Sequence, residues 1–363
     1  DQFRILNAGS FVESISNNSY YAFLGLSNPQ ATGFGRTDNW NSSTSNNPVD
    51  NFQHLSHYRD TSLFGKKITT ENARRVVRKV EWIANNQYDM YRHDYGQYTN
   101  RNNVAPVSKA LKLYDANYYV ITSDFKVYIC IENGTSGVSP TVPRSSLEPT
   151  HTDVEPVSYS DGYVWKYLFK VSPSDIIKFD STEFIVVPNN WATTTETDIQ
   201  IIRDGGNSDS NENQIKTVYI EEGGSNYSND THAILGDGTG GEASVTVTNG
   251  VITDVTVTKG GKGYTYGILD LSDNTGSGAK LIPIIPPSKG HGYDVYTELG
   301  TDKVLLYARF DDSTKDFPVD TKFAQVGIIK NPETFSGAGT TFTGSAFSSL
   351  FAVGLSSTRT VTI

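Results

Sequence analysis

The stretch from Tyr163 to Val171 constrains this chain more than any other. Tyr163, Trp165, Tyr167, Phe169 and Val171 fall on one side of an extended strand, and Val164, Lys166, Leu168 and Lys170 on the other. Four aromatic rings on one face make an apolar surface that must be covered. Asp161-Gly162 before it is a turn dipeptide. Ser172-Pro173-Ser174-Asp175 after it is a helix start: Ser172 at the N-cap, Pro173 at the first helical position and Asp175 at the capping-box acid. The helix is expected to end near Phe179. Glu183 to Pro188 then returns as a strand apolar on both faces, with Phe184 and Val186 on one and Ile185 and Val187 on the other. Such a strand is normally covered on both sides. The stretch predicts a β-protein core and contains no reactive group that packing leaves over.

The same run, DGYVWKYLF followed by a short helix and EFIVVP, resembles the baseplate wedge protein family of T-even contractile-tail phages, the gene-eight products. Two weaker likenesses flank it. One is Gly35-Arg36 followed by Trp40 and a Ser/Asn run. The other is strand, acidic loop with Phe317-Pro318, strand, then Asn331-Pro332. The resemblance implies a layered β-sandwich with helix-bearing side loops and a structural role in the virion. It also implies other wedge proteins and a second copy of itself as partners, two per wedge. Assembly would take place in the host bacterial cytoplasm.

Composition narrows the class independently. With 30 Lys and Arg against 40 Asp and Glu the net charge is −10, which argues against a nucleic-acid partner and against an anionic membrane surface. No apolar run reaches the ~20 residues of a membrane span, and residues 1–25 lack the layout of a secretory signal. Cys130 is the sole cysteine, so no intrachain disulfide can form. The 21 Tyr and 17 Phe favour strands over helices.

Along the chain, Gly9 to Asn18 is expected as a short helix capped at Ser10, and Tyr20 to Leu26 as a strand. Thr70-Glu71-Asn72 is expected to open another short helix. It carries Arg74, Arg75, Arg78 and Lys79, which read either as an electrostatic dock for an acidic partner or as a solvated helix face. Asn117 to Ile131 predicts a hairpin turning at Thr122-Ser123-Asp124. Residues 133–160, with Pro140, Pro143, Pro149 and Pro156, predict a long surface loop suited to contact with a neighbouring subunit. Residues 335–349 are low in charge and predict an arm. Arg359 to Ile363 is a strand candidate for a partner's sheet edge.

Between these parts the chain changes character. Residues 204–213 are a polar linker. A repeat follows: Val218 to Tyr227 matches Val255 to Tyr264, 37 positions on, and Gly240-Gly241-Glu242-Ala243 echoes Gly276-Ser277-Gly278-Ala279 at a spacing of 36. Asn249-Gly250 is a hairpin turn. Two copies are too few for a solenoid and suit a small two-fold β-domain. The gene-eight resemblance does not extend to this segment.

No motif carries chemistry. Asp50, His54 and His57 have ligand-like spacing but no third or fourth convergent partner nearby. Asp204, Asn207, Asp209 and Asn211 lack the central Gly and closing Glu of a calcium loop. Gly236 to Gly241 resembles a single calcium-binding repeat, which works only in tandem. Gly261-Lys262-Gly263 has no Ser or Thr after the Lys. His93-Asp94 has no paired Ser. Asp161, Asp175 and Glu183 serve better as turn former, cap and strand flank than as a carboxylate pair.

The expectation is therefore a mainly-β chain: a multilayer β-sandwich with short helices in side loops, formed by residues 1–198 and 289–363, with a Gly-rich β-repeat domain inserted at 199–288. No catalytic residue, cofactor or metal is expected. Arg74, Arg75, Arg78 and Lys79 are the candidate interface residues of a contractile-phage baseplate wedge subunit. The alternative is a carbohydrate- or receptor-binding phage tail module, with the insert as binder.

Overall fold

A computed structural model describes residues 2–26, 64–95, 107–205, 214–307, 323–333 and 341–344. Among the described residues sixteen strands follow in order. They are β1 Tyr20–Leu26, β2 Phe64–Ile68, β3 Ala73–Arg78, β4 Tyr119–Ile121, β5 Lys126–Asn133, β6 Val157–Ser158, β7 Tyr163–Lys170 and β8 Phe184–Val186. After them come β9 Val218–Ser225, β10 Asp230–Gly236, β11 Thr239–Thr248, β12 Val251–Lys262, β13 Gly267–Leu269, β14 Ser277–Pro283, β15 Lys303–Leu306 and β16 Phe323–Lys330. The helices are short: α1 Gln2–Ser14, α2 Pro173–Phe179, α3 Thr197–Gly205 and α4 Val295–Leu299. The fold is mainly β, built of several antiparallel sheets, as the sequence predicts. The chain divides into two compact units, residues 1–5 with 75–303 and residues 6–74 with 304–363.

In the first unit the aromatic strand sits where expected. β7 lies inside a sheet of order β4-β5-β7-β6. Tyr163, Trp165, Tyr167, Phe169 and Val171 are all buried. Trp165 stacks on Tyr163 with ring centroids 5.5 Å apart and meets Tyr88 edge-on at 5.7 Å. The opposite face departs from simple alternation, because Lys166 and Leu168 are buried as well. One extra residue on β7 at Leu168 and one on β5 at Ile131 shift the pairing register, and such bulges bend and twist a sheet. Gly292 and Ile202 of α3 come against Leu168 on this second face. Lys166 places its Nζ 2.6 Å from the Val154 carbonyl. Burial pulls its pKa down to about 8.

The predicted cap of α2 is present: Ser172 Oγ accepts the Asp175 amide at 3.1 Å, with Pro173 opening the helix. β8 pairs with β3 from Val76↔Val186 to Arg78↔Phe184, and Ile185, Val186 and Val187 are buried. The β4–β5 hairpin also forms as predicted, with Tyr119 opposite Ile129.

Two helix expectations are corrected. α1 begins at Gln2, so Ser10 is not its cap, and Gly9 sits buried inside it. Close packing at a small residue outweighs the ~1 kcal/mol propensity cost of glycine. The segment after Thr70 is a single 3₁₀ turn, Thr70–Asn72, followed by strand β3 rather than a helix. Val76 and Val77 favour the extended form, and β8 supplies the ladder that fixes it. Helix α3 went unforeseen, although Thr195-Glu196-Thr197-Asp198 just before its apolar residues fits a capping-box start.

The Gly-rich segment has its own apolar cluster, drawn entirely from residues between Ile215 and Ile285. Its two copies repeat each other contact for contact. β9 pairs with β14 as Ser225↔Ser277, Gly223↔Ala279 and Glu222↔Lys280. β12 pairs with β11 as Lys262↔Thr239, Gly260↔Gly241 and Lys259↔Glu242. Gly224 and Gly261 both have positive φ, +62° and +60°. A side chain on either would strike the following tyrosine, Tyr227 or Tyr264, and a backbone atom of the partner strand. Gly276 and Gly238 in turn lie against those same rings. The second half of the repeat is therefore related by 38 positions, with Gly240 answering Gly278, and not by the 36 read from the sequence. Gly238-Thr239-Gly240-Gly241 answers Gly276-Ser277-Gly278-Ala279 because each tyrosine ring needs a glycine beneath it. Even the cross-strand ion pairs correspond with signs exchanged, Lys280–Glu222 and Lys259–Glu242.

In the second unit β1 pairs with β16 and with β2, Tyr20 standing opposite Lys330 and Ile68. Ile15, Tyr20, Ala22, Ile68 and Ala73 form its core, with Val304 and Leu306 packed against them. Ala22 and Ile328 pair across β1 and β16.

Candidate docking surface

The four basic residues singled out from the sequence do not share a face. Arg74 is buried in the second unit, where its guanidinium donates to the Thr70 and Ala73 carbonyls at 2.9 Å each. Arg75 lies over the Tyr296 ring at 4.0 Å. Lys79 donates to the Ser181 carbonyl at 3.0 Å and pairs with Glu81 and Asp180. Arg78 alone is exposed, at the end of β3. Strand geometry is the reason, since consecutive side chains point to opposite sides, whereas a helix would have gathered them.

Arg78 opens instead on a cavity of about 280 Å³ in the first unit, with Arg4, Lys112 and Lys303 from three distant segments. Among the described residues Asp115 and Asp302 supply its carboxylates. Ile5, Val77 and Leu299 contribute apolar lining, and the rings of Tyr114 and Tyr119 complete it. Both phenol groups are spoken for: Tyr114 donates to the Thr297 carbonyl at 2.8 Å and Tyr119 to the Arg78 carbonyl at 2.8 Å. Burial raises both hydroxyl pKa values, so the rings stay neutral. Arg78 donates to the carbonyls of Asp115 and Ala116 at 3.2 and 3.1 Å. Asp302 is shared between Lys303 at 2.7 Å and Arg4 at 3.8 Å. Among the described residues Lys112 makes no ion pair.

The 133–160 loop is fastened to its own unit along its length. Ser145 is fully buried, donates its backbone N–H to the Asn86 carbonyl at 2.8 Å, accepts the Asn85 amide at 2.7 Å, and accepts the Trp82 indole N–H at 3.0 Å. Asp161 accepts the amides of Ser146 and Leu147 at 2.8 and 3.1 Å. Tyr163 donates to the Pro143 carbonyl at 2.9 Å, and Tyr128 to the His151 carbonyl at 2.6 Å. The loop thus presents a shaped surface whose tips, Val138 and Leu147, are exposed.

Several of the described residues weighed for chemistry have structural partners. Asp161 pins the loop. Asp175 sits in the first turn of α2. Asp94 pairs with buried Arg92 at 2.9 Å, and His93 accepts the Ile285 amide. Asp237 accepts the Thr265 hydroxyl and the amides of Thr265 and Tyr266, which hold its carboxyl down at about 2. His291 and Glu298 form a buried pair, with the Gly292 amide donating to Glu298 at 2.7 Å. Burial pushes the Cys130 thiol up, which keeps it unreactive. Among the described residues no group of three or more His, Cys, Asp and Glu is placed to hold a metal ion. No helix among them is long and apolar enough to cross a membrane. Asp50, His54, His57, Trp40, residues 206–213 and most of the 335–363 segment lie outside the described residues.

Against known families, residues 117–223 match the family model Phage-Gp8, described as Bacteriophage T4, Gp8. This is the gene-eight family that the DGYVWKYLF run resembles. No curated protein matches the chain. The Gp8 segment runs from just before β4 through β8 and α3 and ends inside β9. It therefore contains strand β7 and the fastened loop, and it stops at Gly223, the first glycine of the Gly223-Gly224 pair in the first repeat. The flanking likenesses at Gly35–Trp40 and near Phe317 fall outside the matched residues.

Proposed function

We propose that this protein is a structural subunit of a contractile-phage tail baseplate, placed in the wedge, and that it works through protein–protein interfaces rather than chemistry. The observation that carries this reading is the Gp8 match over residues 117–223, which contains the buried aromatic strand β7. Within that segment Asp161 pins the 133–160 loop, and Lys126 and Glu148 tie the loop to the β4–β5 hairpin, which supports a working part made of shaped surface. Its partners are other baseplate proteins and a second copy of itself, in a virion assembled in the host cytoplasm. Specific interfaces bury about 1,200–2,000 Å². The 133–160 loop, fastened to the first unit, offers a defined shape for such a contact when a baseplate rearranges. In this reading residues 199–288 are a module inserted into the sandwich formed by 1–198 and 289–363. An apolar cluster confined to residues 215–285 favours that division.

The test is composition and assembly. Purified baseplates should contain the chain, and its deletion should halt wedge assembly, with the purified protein neither retaining nor cleaving host polysaccharide. Glycan retention by the isolated protein, lost on deleting residues 206–288, would favour the carbohydrate-binding alternative instead.

A further inference from the structure

We infer that the cavity between β3, α4 and the Lys112 turn is a docking socket for an acidic peptide segment of a neighbouring baseplate subunit, an assignment that rests on the function proposed above. Three observations carry it. Charge comes first: four cations and two carboxylates line the cavity in a chain whose net charge is −10, so the site is locally opposite in sign to the molecule. Availability comes second. Among the described residues Lys112 has no ion-pair partner, and the Arg4 side chain is 73% exposed and only 3.8 Å from a carboxylate already held more closely by Lys303. An incoming carboxylate meets cations whose charge is incompletely answered. Size and lining come third. At about 280 Å³ the cavity falls at the lower edge of the roughly 300–1,000 Å³ of small-molecule sites, which is room for one or two side chains rather than a cofactor. Leu299 and the Tyr114 ring offer apolar surface for a residue beside the acid, and Leu111, next to Lys112 in sequence, is 71% exposed.

Arg78 is the member that the sequence pattern found, but its companions in the socket come from residues 4, 112 and 303. The distinction between an acidic peptide and a free anion lies in this apolar lining, which a phosphate would leave unused.

The experiment uses the purified full chain and a fluorescein-labelled peptide of alternating glutamate and phenylalanine, followed by anisotropy. Binding is expected to weaken with added salt, because exposed charges are screened over ~8–10 Å. Lys112→Glu and Arg4→Glu, both at exposed positions, should each lower affinity about tenfold, the equivalent of 1.4 kcal/mol. Lys262→Glu, the same charge change on the repeat module, should leave affinity unchanged. Equal loss with Lys262→Glu would overturn the socket in favour of general charge attraction. Displacement of the peptide by inorganic phosphate at matching concentration would overturn it in favour of a small-anion site. Self-association of the chain abolished by Lys112→Glu would overturn it in favour of a second copy as occupant. Should baseplates contain the chain while the peptide is not held, the socket alone falls. Should the peptide be held while baseplates lack the chain, the baseplate role and the baseplate occupant fall together, and only the affinity of the socket for acidic peptides stands.

Discussion

The β4-β5-β7-β6 sheet and the Gly-rich repeat are both antiparallel β-structure, yet they are held together by opposite means. In the sheet, order comes from bulk. Trp165, Tyr163, Tyr88 and Phe169 fill the space between elements, and each removes a large apolar area from water. In the repeat, order comes from missing side chains. Gly224 and Gly276 make room for Tyr227, Gly261 and Gly238 make room for Tyr264, and backbone from the partner strand closes over each ring. The lesson is that an aromatic anchor can be seated by surrounding it with large residues or by clearing space with glycines. The two solutions leave different fingerprints: alternation in one case, a spaced Gly-Tyr pattern in the other. The Gp8 match covers the first and stops at the start of the second.

Truncation gives the largest expected difference. Trp165→Ala should destabilise the first unit by about 3–5 kcal/mol, measured by urea unfolding. An unchanged midpoint would remove Trp165 from the core. Next comes the buried charge on β7. The pKa of Lys166 is lowered from 10.5 to about 8 by burial first, with the Lys216 charge adding to the effect. The folded state thus resists protonation of this amine. The resulting penalty is complete below about pH 8, shrinks as the pH rises, and is gone above about 10.5. Lys166→Met should therefore gain stability relative to the parent at pH 7, on the order of 3 kcal/mol at most, and the two curves should converge by about pH 10.5. Parallel curves across that window would show that the amine reaches water in the folded protein.

The repeat is tested with methyl groups added instead of removed. Gly224→Ala and Gly261→Ala should each cost about 1–3 kcal/mol, because φ is positive and the new Cβ meets backbone within 3 Å. Gly278→Ala keeps the positive φ but has its nearest neighbour at 4.0 Å, so it should cost less than either. Equal costs at all three would mean that backbone strain, and not the tyrosine seat, is what matters. The smallest effect is expected at Asp237, whose carboxylate is fully exposed and held at about 2 by the Thr265 hydroxyl and nearby amides. Its contribution is present above the ordinary value of 3.8 and is lost as the pH falls through about 2. Asp237→Asn should lower the melting temperature slightly at pH 7, and the difference should shrink as the pH falls through about 2.

What the sequence determined by itself was local. Alternation predicted β7, because a pleated strand with one apolar face has to alternate, and apolar runs bounded by turn residues predicted β1, the β4–β5 hairpin and β8. Hydrogen-bond chemistry predicted α2, because Ser172 and Pro173 serve the orphan amides of a helix start wherever it lies. The repeat was visible, although its second half was read two residues out of step, since glycines alone do not say which of them underlies the tyrosine. Only the tertiary structure decided the rest. Burial of Lys166, the strand in place of a helix at Ala73–Arg78, and the dispersal of Arg74, Arg75 and Lys79 onto different neighbours all depend on what comes to lie alongside. The basic cavity assembled from residues 4, 78, 112 and 303 has no counterpart in any short stretch of the chain. Charges act through space, so a cluster made of distant segments exists only once the fold has brought them together.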